Sequence, residues 1–203
     1  MDVQPVCLEG PTIRLEPLSP EHAPLLWPKT GPEIFQHTLE WPRDSSPEAF
    51  DDWVRHCLTF PAALHYAIFV QATGEAVGMT GYLEIRPVHK GLEVGRTWIA
   101  RSHQGTRVNP ESKYLLLRHA FEDLGAVRVQ FKTDLNNLHS QRAIEKLGAR
   151  REGVLRRYQM RSNGFLRDTV VYSILAEEWP EVKAGLEERL AAMAGVAEDP
   201  PQP

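Results

Sequence analysis

Cysteines and long hydrophobic runs are what this sequence most plainly lacks. Its two cysteines, Cys7 and Cys57, form neither a CxxC pair nor a metal-binding pattern. A disulfide framework is therefore disfavoured, and a reducing, cytoplasmic setting is predicted. The opening residues, MDVQPVCLEGPT, show no basic region followed by an apolar run, and no segment has the length of an apolar membrane span. The sequence predicts a soluble protein without a membrane partner.

An excess of either charge is also missing. The formal net charge is -4, with 25% charged residues of both signs, which disfavours nucleic acid as a partner. Eight histidines are scattered without HExxH or another ligand spacing, so we predict no metal. No GxGxxG follows an early strand, which argues against a Rossmann nucleotide-binding protein.

Residues 102–125, SHQGTRVNPESKYLLLRHAFEDLG, form the most informative segment. Asn109 is placed to be a helix N-cap, with Pro110 at the first helical position and Glu111 in the first turn, where negative charge suits the exposed amides. The pattern therefore predicts a helix that starts at Pro110. Apolar residues at helical spacing and a C-cap glycine follow, namely Leu116, Leu117, Ala120, Phe121, Leu124 and Gly125.

The loop ahead of this helix is a candidate phosphate site. Residues 104–108 offer a run of backbone N–H groups at the positive end of the helix, which suits a pyrophosphate. The alternative is an ordinary strand-to-helix loop, since a single glycine and a cap are common in α/β units. This segment alone leaves both interpretations open.

Periodic patterns place strands and helices along the rest of the chain. Strands are predicted at residues 12–18, 64–71, 76–85, 93–100, 127–133, 150–160 and 167–175, and helices at 21–27, from 47 to near 61, at 138–147 and at 177–193. The strand, helix, strand passage up to residue 133 predicts a crossover to a parallel strand. A chain of 203 residues suits one domain, taken as residues 1–194, with a frayed tail at 195–203.

Two motifs give the chain a resemblance to a known family. Residues 104–109 stand where the GNAT superfamily of acyl-coenzyme A-dependent N-acetyltransferases has Gln/Arg-x-x-Gly-x-Gly/Ala. Residues 133–153, TDLNNLHSQRAIEKLGARREG, resemble its strand-Asn-x-x-Ser-helix-Leu-Gly passage. The opening TIRLEPLSPEH is similar to the RimJ/RimL branch, which acetylates protein N-termini. Arg107 and Asn109 depart from the first motif, which has Gly and then Gly or Ala.

The resemblance implies the GNAT fold, of the α/β (α+β) class. Its central sheet is mixed and mostly antiparallel, with about six to seven strands and helices on both sides. It implies acetyl-CoA as cosubstrate, without a metal. Asn137 would then hydrogen-bond the pantetheine arm, and Ser140 would donate to the coenzyme sulfur unless it satisfies its own backbone. The other implied coenzyme contacts are Trp98, Ile99, Ala100 and Arg101, through backbone amides near the thioester, and Gln104, Gly105, Thr106, Arg107, Val108 and Asn109, near the phosphates.

A general base is also needed, because the attacking amine must lose a proton. Glu93 is our first candidate and Glu84, on the preceding strand, is the second. Either carboxylate alone is more typical of a solvated strand residue. His139 and Tyr158 are weaker candidates, and an amine that arrives neutral would need no base.

We expect the acceptor to lie between the early helices and the late hairpin. The residues concerned are Phe35, His37 and Trp41 on one side and Arg156, Arg157, Tyr158 and Arg161 on the other. The arginines suggest an acceptor with a carboxylate, although such a run is more often a solvated face. A peptide N-terminus and an amino acid derivative stay open, and a polyamine fits worst because like charges repel. A non-catalytic acyl-CoA sensor is the competing class, and a homodimer follows from the resemblance only.

Overall fold

One eight-stranded sheet organises residues 1–195, the part of the chain that this computed structural model describes. The strands are β1 (Leu8–Glu9), β2 (Ile13–Pro17), β3 (Leu64–Val70), β4 (Glu75–Arg86), β5 (Gly91–Ile99), β6 (Arg128–Asp134), β7 (Arg150–Met160) and β8 (Leu166–Leu175). Their order across the sheet is β1-β2-β3-β4-β5-β6-β8-β7. Neighbouring strands are antiparallel except β5 and β6, which are parallel.

Five helices cover the two faces of this sheet. They are α1 (Ala23–Leu26), α2 (Pro47–Leu58), α3 (Val108–Arg118), α4 (Leu138–Glu145) and α5 (Trp179–Gly195), and a π turn over His119–Asp123 continues α3. Ser46 caps α2 as its sequence indicates, since its hydroxyl accepts a hydrogen bond from the Ala49 N–H at 3.2 Å. Gly125, with φ of +64°, lies in the left-handed region expected of the residue that ends α3 and its π turn.

Each face of the sheet has its own hydrophobic core. One core joins the sheet to α3, α4 and α5 through residues such as Val129, Phe131 and Leu116. The other joins β3, β4 and β5 to α1 and α2 through Phe50, Met79 and Trp98. Because side chains alternate along a strand, Gln130 and Lys132, which alternate with Val129 and Phe131, face the α1 and α2 side.

The predicted fold is confirmed, with differences in detail. The sheet has eight strands rather than six to seven, because β1 is too short to show an alternating pattern. The predicted helix at 21–27 is instead α1 between two short 3-10 turns, Pro20–His22 and Trp27–Lys29, and each of the three segments has a proline in its first turn. Gly195 ends α5 rather than starting the tail, and the rest of the predicted tail lies outside the described residues.

Two further properties of residues 1–195 bear on the site. No helix in this range combines the length and the hydrophobicity that crossing a membrane requires. Nor do these residues bring three or more His, Cys, Asp or Glu side chains together as metal ligands.

Candidate active site

The two parallel strands separate soon after they meet. β5 and β6 pair only from Gly91 with Arg128 to Glu93 with Gln130, and both strands then run on, to Ile99 and to Asp134, without pairing with each other. An opening between the carboxyl ends of parallel strands is a usual ligand site in sheets that carry helices on both faces. A bulge in β5 accompanies the separation, since Arg96 has φ of +51° and the register with β4 shifts between Met79 and Gly81.

Lys113 lies beneath this bulge without a carboxylate partner. Its ammonium group, on α3, donates to Thr80 Oγ1 at 3.1 Å and to Thr97 Oγ1, and the two threonine hydroxyls are 2.8 Å apart. No acidic side chain in residues 1–195 forms an ion pair with it. Burial lowers the pKa of Lys113 to about 7, because desolvation disfavours the charged form. The lysine therefore connects α3 to the distorted part of β5.

The backbone groups at the end of β5 point in two directions, some towards β4 and others towards the opening. Ala100 N donates to Val77 O at 2.8 Å, so the Ala100 amide points towards β4 and is already used. The Gln104 side chain donates to Ile99 O at 3.0 Å, which places the Ile99 backbone groups on the opposite edge. Of these two neighbouring amides, Ile99 is the one directed into the opening.

The loop before α3 keeps several free donors. The N–H groups of Gly105, Thr106 and Arg107 form no hydrogen bond within residues 1–195, and Gly105 has φ of +78°, a conformation that glycine adopts readily. Three adjacent unpaired N–H groups at the start of a helix suit an anion. The geometry therefore fits a phosphate group.

The predicted helix start at Pro110 is wrong. α3 begins at Val108, so Asn109 lies inside the first turn and no side chain caps the helix in the usual way. Thr106 takes this role in part, because its Oγ1 accepts from Val108 N at 3.3 Å while its hydroxyl donates to His103 O at 2.7 Å. Pro110 is tolerated because the first-turn N–H groups of a helix have no intrahelical partner to lose.

Arg107 is held by a buried carboxylate. Its Nε donates to Glu111 at 2.9 Å, and Glu111 is fully buried and accepts from the backbone N–H groups of Thr12 and Ile13 at 2.8 and 3.1 Å. Arg107 thus helps to compensate a charge that fastens α3 to the start of β2. Its terminal nitrogens form no other hydrogen bond within residues 1–195 and remain able to meet a phosphate.

Asn137 and Ser140 lie just beyond the end of β6. Asn137 is the N-cap of α4, as predicted, because its Oδ1 accepts from Ser140 N at 3.0 Å. The Ser140 hydroxyl is partly exposed and makes no hydrogen bond within the described part of the chain. Its hydroxyl is therefore free to donate, and the Asn137 amide nitrogen is free as well.

The structure brings Glu84 and Glu93 together around Lys132. The Lys132 ammonium lies 3.1 Å from Glu93 and also pairs with Glu84, while Gln130 donates to Glu84 at 2.9 Å and to Glu93 at 3.4 Å. Burial raises the pKa of Glu93, and the attraction of Lys132 opposes this shift. The Tyr158 ring centroid is 5.3 Å from the Lys132 nitrogen. We call Glu84, Glu93, Gln130 and Lys132 the carboxylate cluster.

The residues predicted to meet the acceptor separate into two groups. Phe35, Trp41 and Arg161 line one cavity of about 580 Å³, with His37 Nδ1 3.5 Å from Arg161. Arg161 also pairs with Asp134, the last residue of β6. The other group, Arg156, Arg157 and Tyr158, lies exposed on a bulge of β7.

Comparison with known proteins shows which family the chain belongs to. The profile of the Acetyltransferase (GNAT) domain matches residues 12–150. The chain belongs to the GNAT acetyltransferase family. A solved "putative acetyltransferase" from T. thermophilus is 44% identical with a TM-score of 0.89, covering 94% of this chain and 100% of that one. A GCN5-related N-acetyltransferase from Brucella melitensis is 26% identical with a TM-score of 0.86, covering 93% and 86%.

Curated relatives of this GNAT chain match over shorter stretches. The "Uncharacterized N-acetyltransferase p20" of Bacillus licheniformis is 28% identical over 117 residues, which are 58% of this chain and 65% of p20. The "Putative ribosomal N-acetyltransferase YdaF" of Bacillus subtilis is 31% identical over 106 residues, 52% of this chain and 57% of YdaF. The matched stretch thus spans less than two thirds of either relative. RimL, a ribosomal L7/L12 alpha-N-protein acetyltransferase, shares the fold with a TM-score of 0.68 at 22% identity, covering 84% of this chain and 94% of that one.

Three charged residues of this chain were not predicted from the sequence. Lys132 is a polar position in a strand whose side chains alternate between apolar and polar. This pattern does not distinguish a solvated lysine from one that lies between two carboxylates. Lys113 falls on a helix of mixed pattern and gives no signal at all. Arg167 is buried on β8 and donates to Thr169 Oγ1 at 3.1 Å and Gln159 Oε1 at 2.6 Å. A single arginine near the start of a strand is usually exposed, so the sequence does not indicate that Arg167 is buried.

Proposed function

We propose that this chain is an acetyl-CoA-dependent N-acetyltransferase in which a primary amine attacks the thioester directly in a ternary complex. The observation that carries the proposal is the opening between β5 and β6, which is bordered at one end by the three unpaired N–H groups of residues 105–107. The opening supplies an elongated site, and the N–H groups supply an anion site beside it. Both suit a cosubstrate with a long arm and a pyrophosphate.

Different residues around the opening would bind different parts of the coenzyme. Acetyl-CoA, when bound, supplies the activated thioester. The N–H groups of Gly105, Thr106 and Arg107 hold the pyrophosphate, and the Ile99 amide on the open edge of β5 is directed at the acetyl-bearing end of the arm. From the β6 side the Asn137 amide nitrogen donates to the arm. Backbone donors fixed in a strand cost little reorganisation when charge develops on an oxygen.

Glu93 is the proposed general base. A carboxyl whose pKa burial has raised is a better proton acceptor near neutral pH than an exposed one. Lys132 and Gln130 fix its orientation. Glu84 shares the same partners and is the proposed second carboxylate. Glu93→Gln should lower kcat at least tenfold, with acetyl-CoA affinity unchanged. Glu84→Gln, a matched control on the same lysine, should lower it less.

Ser140 is the proposed donor to the departing coenzyme sulfur. Its hydroxyl is partly exposed at the first turn of α4 and has no partner within residues 1–195. A hydroxyl in this state can donate to a thiolate without first breaking an internal hydrogen bond. His139 is exposed beside it, and we assign it no role.

A protein N-terminus is the acceptor we propose, with a small-molecule amine as the other candidate. YdaF is named a ribosomal N-acetyltransferase, and that relationship supports a peptide amine. The free cysteines, one exposed and one buried, suit a reducing cytoplasmic compartment. We propose a homodimer from the family resemblance.

A second candidate function is a non-catalytic acyl-CoA sensor. The charge pairing of the carboxylate cluster favours it, because Lys132 pairs with both candidate base carboxylates. A carboxylate engaged in this way is less available to a substrate amine. The sensor would bind acetyl-CoA and acetylate nothing.

One titration combined with one assay separates these functions. Isothermal titration with acetyl-CoA and with coenzyme A measures binding, and release of free thiol in the presence of an amine panel measures transfer. Micromolar binding with turnover on at least one amine supports the transferase. Binding without turnover across the panel supports the sensor, and absence of binding refutes both.

A further inference from the structure

An aromatic cavity lies against the candidate active site. Its volume of about 580 Å³ falls within the range of small-ligand sites, roughly 300 to 1,000 Å³. The walls come from the loop between α1 and α2, from the start of α2, and from the turn between β7 and β8. No part of this cavity belongs to the coenzyme opening described above.

The interior of the cavity is apolar and its charges are already paired. Four aromatic rings line it, those of Trp27, Phe35, Trp41 and Phe50. Arg43 and Asp44 at its mouth pair with each other at 3.4 Å, and Arg161 pairs with Asp134. A site with internally compensated charges and aromatic walls favours a neutral, bulky group over a second charge.

The cavity reaches the strands that separate. Phe35 and Phe50 pack on Trp98 with ring centroids 6.5 and 6.4 Å apart, and Trp98 immediately precedes Ile99 at the open edge of β5. On the other side, Arg161 in the cavity wall contacts Asp134. Asp134 and Lys132 are two residues apart on one face of β6, roughly 6 to 7 Å along the strand. The cavity wall is therefore connected, through Arg161 and Asp134, to the face of β6 that carries Lys132 of the carboxylate cluster.

We propose that the cavity binds a large apolar or aromatic side chain adjacent to the amine that is acetylated. The acceptor class is then a primary amine carrying such a group, with the amine directed to Glu93 and the ring held among the four aromatic side chains. The inference rests on the proposed transferase function. It adds what that function leaves open, which is the chemical character of the acceptor.

Two matched acceptor pairs test the inference and distinguish its possible sources. Tetrapeptides that begin with phenylalanine or with serine are compared with each other, and so are phenethylamine and ethylamine. The aromatic member of at least one pair should have a kcat/KM at least tenfold higher. A stronger preference among the peptides indicates a protein N-terminus, and one confined to the free amines indicates a small molecule.

Variants connect the preference to the cavity. Trp41→Ala should reduce the preference to about threefold or less, whereas Trp41→Phe should retain it. Val88→Ala is the matched control, because Val88 is an apolar side chain that is 90% exposed and does not line the cavity. Acetyl-CoA titration of each variant checks that it is folded. Independently of any variant, N-acetylphenethylamine should inhibit the wild type competitively against the amine, and N-ethylacetamide at equal concentration should not.

The outcomes separate the two levels of the argument. Transfer without an aromatic preference, or a preference that Trp41→Ala leaves intact, overturns the cavity assignment while the transferase stands. Acetyl-CoA binding without transfer to any amine overturns the transferase itself, and the acceptor assignment with it. A serine preference of tenfold or more also overturns the inference.

Discussion

Replacing Lys113 by methionine should stabilise the protein, and by an amount that depends on pH. The lysine is buried, has no carboxylate partner in residues 1–195 and has a pKa lowered to about 7 from 10.5. Between these values the unfolded lysine holds a proton that the folded one has lost. The wild type therefore gains stability as pH rises through this window. Methionine fills similar volume, and Thr80 and Thr97 keep their mutual hydrogen bond.

The size of the effect follows from the two pKa values. Between pH 7 and pH 9 the wild type should gain about 2 kcal/mol from this residue, and Lys113→Met should gain nothing from it. The advantage of the variant is then a few kcal/mol at pH 7 and below, and it falls as the pH rises above 7. Urea unfolding at pH 7, 8 and 9 measures it. Lys146→Met, at an exposed lysine, is the control.

A difference between wild type and Lys113→Met that stays constant from pH 7 to pH 9 would refute this reasoning. So would a variant that is less stable at pH 7, since it would mean that the hydrogen bonds of Lys113 outweigh the desolvation of its charge. In that case the lysine would be a stabilising connection between α3 and β5 rather than a cost of burial.

Three more changes test the site. Ser140→Ala should lower kcat about tenfold or more with little change in acetyl-CoA affinity, and single-turnover kinetics that match the wild type would remove Ser140 from the mechanism. Glu111→Ala should cost about 2 to 5 kcal/mol of unfolding free energy, because it leaves the backbone N–H groups of Thr12 and Ile13 without their acceptor; urea unfolding measures it, and a loss under about 1 kcal/mol would contradict a structural role. Arg107→Met should weaken acetyl-CoA binding about tenfold if its free nitrogens contact phosphate. An unchanged Kd in isothermal titration, with lowered stability, would restrict Arg107 to its pairing with Glu111.

Local patterns carried the fold predictions that the structure confirms. Ser46 and Pro47 mark the start of α2, and alternation marks β6, because hydrogen-bond capping and side-chain direction depend on neighbours in sequence. The start of α3 was missed for the same kind of reason. Asn109 and Thr106 can both cap a helix, and the sequence does not show which of the two residues lies at its start.

Contacts between distant strands set the limits of prediction at the site. The sequence predicts Glu84 and Glu93 as candidate bases. That one lysine pairs with both depends on the register of β5 with β6, in which Glu93 pairs with Gln130. Arg96 shows a second limit, because a non-glycine residue with positive φ produces the bulge and nothing in its local sequence indicates it. Arg107 and Glu111 have the spacing of neighbours on a helix, so their pairing can be predicted. That Glu111 is buried, which makes the pair important for stability, cannot be read from the sequence.

Because β5 and β6 pair over a short stretch, the sheet consists of two parts that are joined at few positions. One part contains β1 to β5 and the other β6 to β8; β5 and β6 form three residue pairs, and one backbone hydrogen bond from Val127 N to Lys90 O precedes them. A molecule bound between β5 and β6 would connect the two parts through hydrogen bonds that the polypeptide itself does not form. Its binding energy would then appear as resistance to unfolding, about 3 kcal/mol at a ligand concentration about one hundred times Kd. In this protein the bound coenzyme would then complete the contact between β5 and β6.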